Sequence, residues 1–406
     1  MRLLLPCLLS LFAAALPACL WDYDTLAQES RGKADLKAVI VGGFPRNPPL
    51  YYEMRLERVT KLLETSPDDL DAYDAAGVAC DRLGRADEAI EWMARKQAAM
   101  ERLGYDASKH EQPNHRYRYL ANLGTFYAHR WFKNGANREA MDDLKQGREL
   151  IAQAIKENPN AHFGREKYQL RMMDWVIGLD PEKLGATSDF ERTPLGNFDG
   201  FFIEDFERDD VDEALAGFSG LILQGNAWES VDVLNTIRAL LAHRNDRSFA
   251  YFAELRVREL AFDGKRSITW QGKIDIEAAL EYQSVQGVTT ESGTTAEYER
   301  LREVATEWHE RRTAYMLDNL SQGRHPDTHP EFWSDFDGDP EMPEGMEPSW
   351  LRLSIDWFIR FFSRGGALAV AVVLLLLAIA AALIKALRMY TASKNKPLGP
   401  PRKKKA

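Results

Sequence analysis

Cysteine is scarce, with three in 406 residues. Cys7 lies inside an apolar leader, Cys19 at its end, and Cys80 has no evident mate. A disulfide framework is therefore not expected, and an apolar core has to hold the fold. Strand-like alternation of apolar and polar residues is scarce too, which argues against a sheet and for an all-α chain. Positive charge is short in the main body. Arg2 and the eight cations after Ile384 stand outside it, so Cys19 to Arg364 keeps 43 of the 52 basic residues and all 62 acids. A surface near −19 argues against nucleic acid as a partner, because phosphate neutralisation needs a basic face. Excess acid also serves solubility.

Complete catalytic and ligand motifs are lacking as well. "HEQPNH" (His110 to His115) spaces its histidines one residue too far apart for an H-E-x-x-H zinc site, and Pro113 interrupts the helix. "GFSGL" lacks the second glycine of a nucleophile elbow. "DGKRS" lacks the upstream glycine of a phosphate loop. "DFDGDPEMPEGM" spaces Asp335, Asp337 and Asp339 as a calcium loop does, but Pro340 replaces the turn glycine and Met346 the closing glutamate. Cys80 lies on an apolar stripe, where free cysteine acts as a small hydrophobe rather than a nucleophile. Asp68-Asp69 and Asp209-Asp210 precede helical patterns, where carboxylates suit a helix start. Asn319 heads an "NLS" glycosylation sequon. No cofactor, no metal and no catalytic residue is expected.

Two long apolar runs are present. Residues 1–18, with Arg2 followed by Leu3 to Leu16, read as a signal peptide, too short to span a membrane. Ala13 and Ala15 suit an ordinary cut, while "LPAC" resembles a lipobox that would lipidate Cys19. "GGALAVAVVLLLLAIAAALI", residues 365–384, holds no charge. As a helix it extends about 30 Å, the thickness of a hydrocarbon core. The basic tail, 385–406, is expected on the cytoplasmic side, against anionic lipid. Residues 19–364 are then expected to be exported, held in the cell membrane by one span. Trp350, Trp357, Phe361 and Phe362, interleaved with arginines in 349–364, suit a membrane interface. Residues 324–348 carry five prolines and eight acids and read as a stiff spacer.

Between these ends helical periodicity dominates. Leu70, Tyr73, Gly77, Cys80 and Leu83 recur at steps of three and four, after Pro67-Asp68-Asp69 and before Gly84. Ala86, Ala89, Ile90, Met93 and Ala94 form a second stripe. The "GRAD" link between the two is so short that it forces an antiparallel hairpin, with Gly77 against Ala89. A second hairpin carries Leu123, Gly124 and Tyr127, then Gly147, Ile151, Ala154 and Pro159. Met54 to Pro67 reads as a lone second helix, and "NAHFGREKYQLRMMDWVIG" as a further first helix. Asp180 to Phe206 reads as a loop-rich connection. Three helical segments follow within 211–264, then a long helix over Thr294 to Leu320.

The hairpins of residues 51–179 resemble the tetratricopeptide repeat. Tyr73, Ala76-Gly77, Ala89 and Met93 stand at its pattern positions. Cys80 departs from it, the closing proline of the first hairpin is missing, and Gly77 to Gly124 is 47 residues rather than 34. The resemblance implies stacked hairpins, an α-solenoid, with a concave face that binds a protein or peptide partner. Its outward residues would be Asp71, Asp74, Asp81 and Arg82 on one hairpin and Arg118, Thr125 and His129 on the next. A solvated face explains the same residues. The expected function is an envelope interaction scaffold. The alternatives are an all-helical hydrolase with its site in 180–320, whose helices match no repeat motif, or an assembly factor for an envelope complex.

Overall fold

The computed structural model describes residues 20, 35–109, 114–159, 165–178, 211–225, 227–265, 267–268, 292–336 and 338. The leader, Cys19, the connection 180–206, and the interfacial, apolar and basic stretches from 349 onward lie outside them. Among the described residues there are eleven α-helices and no strand, so the chain is all-α. No helix among these residues is long and apolar enough to cross a membrane.

Local chemistry sets the helix ends. The short helix α1 (Leu36–Val41) starts where the Asp35 side chain accepts from Lys37 N at 2.9 Å, and ends on Gly42 at φ 85°. Helix α2 (Pro49–Thr65) places proline at its first position, where the missing N–H costs nothing. Helix α3 (Leu70–Arg82) is capped by Asp69, which accepts from Ala72 N at 3.0 Å. Gly84, at φ 72°, takes the left-handed turn after it, and Arg85 N closes back on the Cys80 carbonyl. Helix α4 (Ala86–Leu103) follows at once. Helix α5 (His115–Lys133) is capped by Asn114, and α6 (Asp142–Glu157) completes the second hairpin.

Helix α7 (Arg165–Gly178) packs on α6 and on α8 (Val211–Leu223). The stretch expected as one helix from Ala227 is divided. A single 3-10 turn, Ala227–Glu229, is followed by Ser230, which caps α9 (Val231–His243) through a 3.3 Å bond from Val233 N. Helix α10 (Arg247–Phe262) is capped by Asp246, and α11 (Ser292–Ser321) is the long helix. Helices α2 to α10 pack chiefly on their neighbours in sequence, whereas α1 and α11 do not.

The small residues do their expected work in one hairpin and a different job in the other. A Cβ on Gly124 would sit 2.9 Å from the Gly147 carbonyl, and one on Gly147 only 2.5 Å from the Gly124 carbonyl. Helices α5 and α6 therefore touch backbone to backbone. Gly77 instead lies under Met93 of α4 and Phe126 of α5, at 2.9 and 3.0 Å from a built Cβ. Those neighbours, rather than Ala89, are the atoms nearest to it. Ala94, expected on the packed stripe of α4, is exposed, while Trp92 and Lys96 are buried. Cys80 is fully buried, and burial pushes its thiol up to about 12, which suits a core residue.

Described residues far apart in sequence also meet. Helix α1 packs against α8, α10 and α11, and α2 against α11. Residues 324–336 are not an extended spacer. They fold back in turns, burying His325 and Phe332 against Tyr51, Met316 and Leu320. Arg55, fully buried, reaches Asp327 with two bonds of 2.8 and 2.6 Å. The His325 ring stacks on Tyr51 at 4.5 Å. Asn319 is buried too, its amide donating to the Tyr315 carbonyl, so a folded chain does not present it as a glycosylation acceptor.

Candidate functional site: a polar ladder between first helices

Polar side chains link helices α3, α5 and α7, and between α3 and α5 the links keep a nearly constant sequence distance. Arg118 of α5 donates to Asp71 of α3 at 2.6 Å, 47 residues apart. Asn122 donates to Asp74 at 3.1 Å, 48 residues apart. His129 Nδ1 lies 2.7 Å from an Asp81 oxygen, again 48 apart. The next interface repeats the device. Gln169 of α7 donates to the Thr125 hydroxyl at 3.2 Å, and the Tyr117 hydroxyl bonds Glu166. The 47-residue offset between Gly77 and Gly124 thus reappears in the rungs between α3 and α5, while the α5–α7 links lie 44 and 49 residues apart.

The seven residues expected to face outward are therefore joined to other parts of the chain. Asp74, Asp81, Arg118 and Thr125 are buried. Asp71, Arg82 and His129 are partly exposed. Arg82 reaches across to the Gln224 carbonyl at 2.5 Å, beyond the end of α8. The solvated-face reading fails for the buried four, and so does the picture of an open lining. A helix in the middle of a stack has two packed sides, and α3 is covered on both.

Asp74 is the hub. It takes a 2.5 Å ion pair from Lys96 of α4, itself fully buried, as well as the Asn122 bond. Burial pushes the Asp74 carboxyl up and the Lys96 ammonium down, and each partner's charge opposes that shift. Sequence reasoning missed Lys96, although a lysine at the centre of a repeat's second helix is a readable signal for a buried partner.

Asp71, Asp74 and His115 bring three possible ligand atoms within 4.8 Å of one another. The charges of Lys96 and Arg118 already balance those two carboxylates, so the donor set does not suit a divalent cation. In the second half, Phe218, Ile237, Leu240 and Phe252 are buried among the described helices. An open hollow of about 390 Å³ lies on α11 beside Tyr298, where Glu259 is tied to Arg302 rather than free for acid–base work. No protein-family model matches the chain, and no curated protein or solved structure matches it.

Proposed function

We propose that this protein is an interaction scaffold of the cell envelope, a tetratricopeptide-like α-solenoid that binds a protein or peptide partner. The observation that carries the reading is the repeated rung between α3 and α5 at a 47–48 residue offset. A stack in constant register is a way to build a long, rigid surface from short helices. The apolar run 365–384 and the basic tail would tether this body to the cytoplasmic membrane from outside. The partner face is the accessible rim of the ladder, where Asp71 and Arg82 keep solvent contact, while Asp74, Asp81, Arg118 and Thr125 hold the register.

The test is crosslinked co-purification of the full chain from its native membrane, with the Asp71→Asn, Arg82→Gln double variant beside it. Melting temperatures of both proteins control for folding. Loss of specific partners from a folded variant is the expected result. An unchanged partner set rejects this rim.

A further inference from the structure

Guanidinium groups crowd where the chain after α1 meets α10 and α11. Trp228, in the single turn before α9, is at the centre. The Cζ atoms of Arg256, Arg46 and Arg302 lie 4.0, 5.0 and 5.7 Å from its ring centroid. Arg46 also sits 4.9 Å over Phe44, which meets Trp228 edge-on. Arg312 adds a fourth cation, donating to the Arg46 carbonyl at 2.7 Å.

Among the described residues, Glu259 is the carboxylate that answers the charges of Arg256 and Arg302. Glu259 takes bonds of 3.0 and 2.5 Å from Arg302 and pairs with Arg256 at 2.7 Å. Arg46 donates to the Gly42 carbonyl at 3.0 Å and has no carboxylate partner among the described residues. Arg256 is 4% exposed, yet its Nε finds no acceptor, and neither does the buried Nδ1 of His309. Burial, then the charges of Arg256, Arg302 and Arg312, lower Arg46 to about 10. Burial, then Arg46 and Arg312, lower His309 to about 4, so its ring is neutral at pH 7. Glu229 feels this field but is exposed and held by Lys265 at 2.5 Å.

Cation–π contact with Trp228 explains why arginines gather there. It does not explain why Arg46 has no carboxylate partner among the described residues, nor why the buried Arg256 Nε is left without an acceptor. We propose that this corner, formed by Arg46, Arg256, Trp228 and His309, binds a phosphate group. The guanidinium fork matches phosphate oxygens in geometry and charge, and a dianion offsets these cations better than a second carboxylate. Arg46, Trp228 and His309 are each only half-buried, which leaves a way in from solvent. Glu303 and Glu307, exposed on the same helix beside Arg302, favour a small ligand over a polyanion.

The experiment is thermal melting of the full chain in detergent at constant ionic strength, with chloride replaced by inorganic phosphate or by glycerol 3-phosphate. A saturable rise in Tm is expected, with an apparent affinity about tenfold weaker in Arg46→Gln, as loss of one charge-assisted bond requires. A larger response to the ester assigns an esterified phosphate. An equal or larger response to the inorganic ion assigns the free anion. His309→Asn, on the partly exposed side of α11, gives the same reading should Arg46→Gln fail to fold. A response unchanged in the variant overturns the proposal. So does a rise that never saturates with either anion, the mark of general exclusion from the surface.

Discussion

Asp232 shows how far a single carboxyl can depend on its surroundings. It is fully enclosed at the start of α9, accepting 2.5 Å from the Ser267 hydroxyl and 3.0 Å from Ile268 N. Burial raises it to about 6, and those two bonds resist the rise. The folded chain therefore holds a proton there that the unfolded chain has released. Its stabilising effect is complete below about pH 4 and fades as pH climbs through about 6. Across that window the native protein should lose about 2–3 kcal/mol more stability than Asp232→Asn, read from denaturant midpoints at each pH. Parallel pH curves for the two proteins would contradict this account of Asp232. The residue scale is also where sequence reading reached least far. Asp69 was legible as a cap because capping is local. Asp74 was not, because the stripe through Leu70, Tyr73 and Gly77 defines only one packed face. The second face of α3 is closed by Asn122 and Arg118, from the following hairpin.

At the scale of elements, helix identity was largely readable and helix contact only in part. Asp69 before α3 and Gly84 after it announce their turns within a few residues. The pairing of Gly124 with Gly147 was legible by analogy with Gly77 and Ala89, and the second hairpin honours it more closely than the first. Met93 and Phe126 cover Gly77 because α4 and α5 both lean on α3, a three-body fit that no two-helix pattern contains. In the second hairpin a methyl group has nowhere to go, since the atom it meets is backbone rather than a flexible side-chain end. Gly147→Ala should accordingly destabilise the fold by about 1–3 kcal/mol, seen as a lower urea midpoint at unchanged slope. A midpoint equal to that of the parent protein would show that α5 and α6 are not in backbone contact. The folded-back stretch 324–336 was misread for a related reason. Proline and acid density argues against helix, but not against turns that carry Phe332 into a pocket and Asp327 to a buried arginine.

Among the described residues of the first unit, Met1–Met342, the feature absent from any local signal is contact between helices far apart in sequence. Helices near residue 55 and turns near residue 327 meet through a buried ion pair, an aromatic stack and a shared apolar cluster. Burial works against the charge of Asp327, but the bonds and charge of Arg55 prevail and hold its carboxyl below the ordinary range. Helix α1 makes contacts of the same kind. Val39, Ile40 and Val41 are buried, and Gly42 allows the Trp228 ring to within 2.6 Å of where a Cβ would stand. Helices so joined support one another across the sequence. The resemblance to a repeat family implies neighbour contacts but says nothing of such a union.

That union is open to a double-mutant cycle on Arg55→Met and Asp327→Leu, two positions 272 residues apart. Asp327→Leu takes the carboxylate from the buried Arg55 and should cost about 3–5 kcal/mol, while Arg55→Met leaves Asp327 its second partner, Arg58 at 2.5 Å, and should cost less. Measured by urea unfolding, the double variant should fall short of the summed losses by about 1–3 kcal/mol, the coupling of groups in direct contact. Losses that simply add would mean that α2 and the turns of 324–336 do not touch.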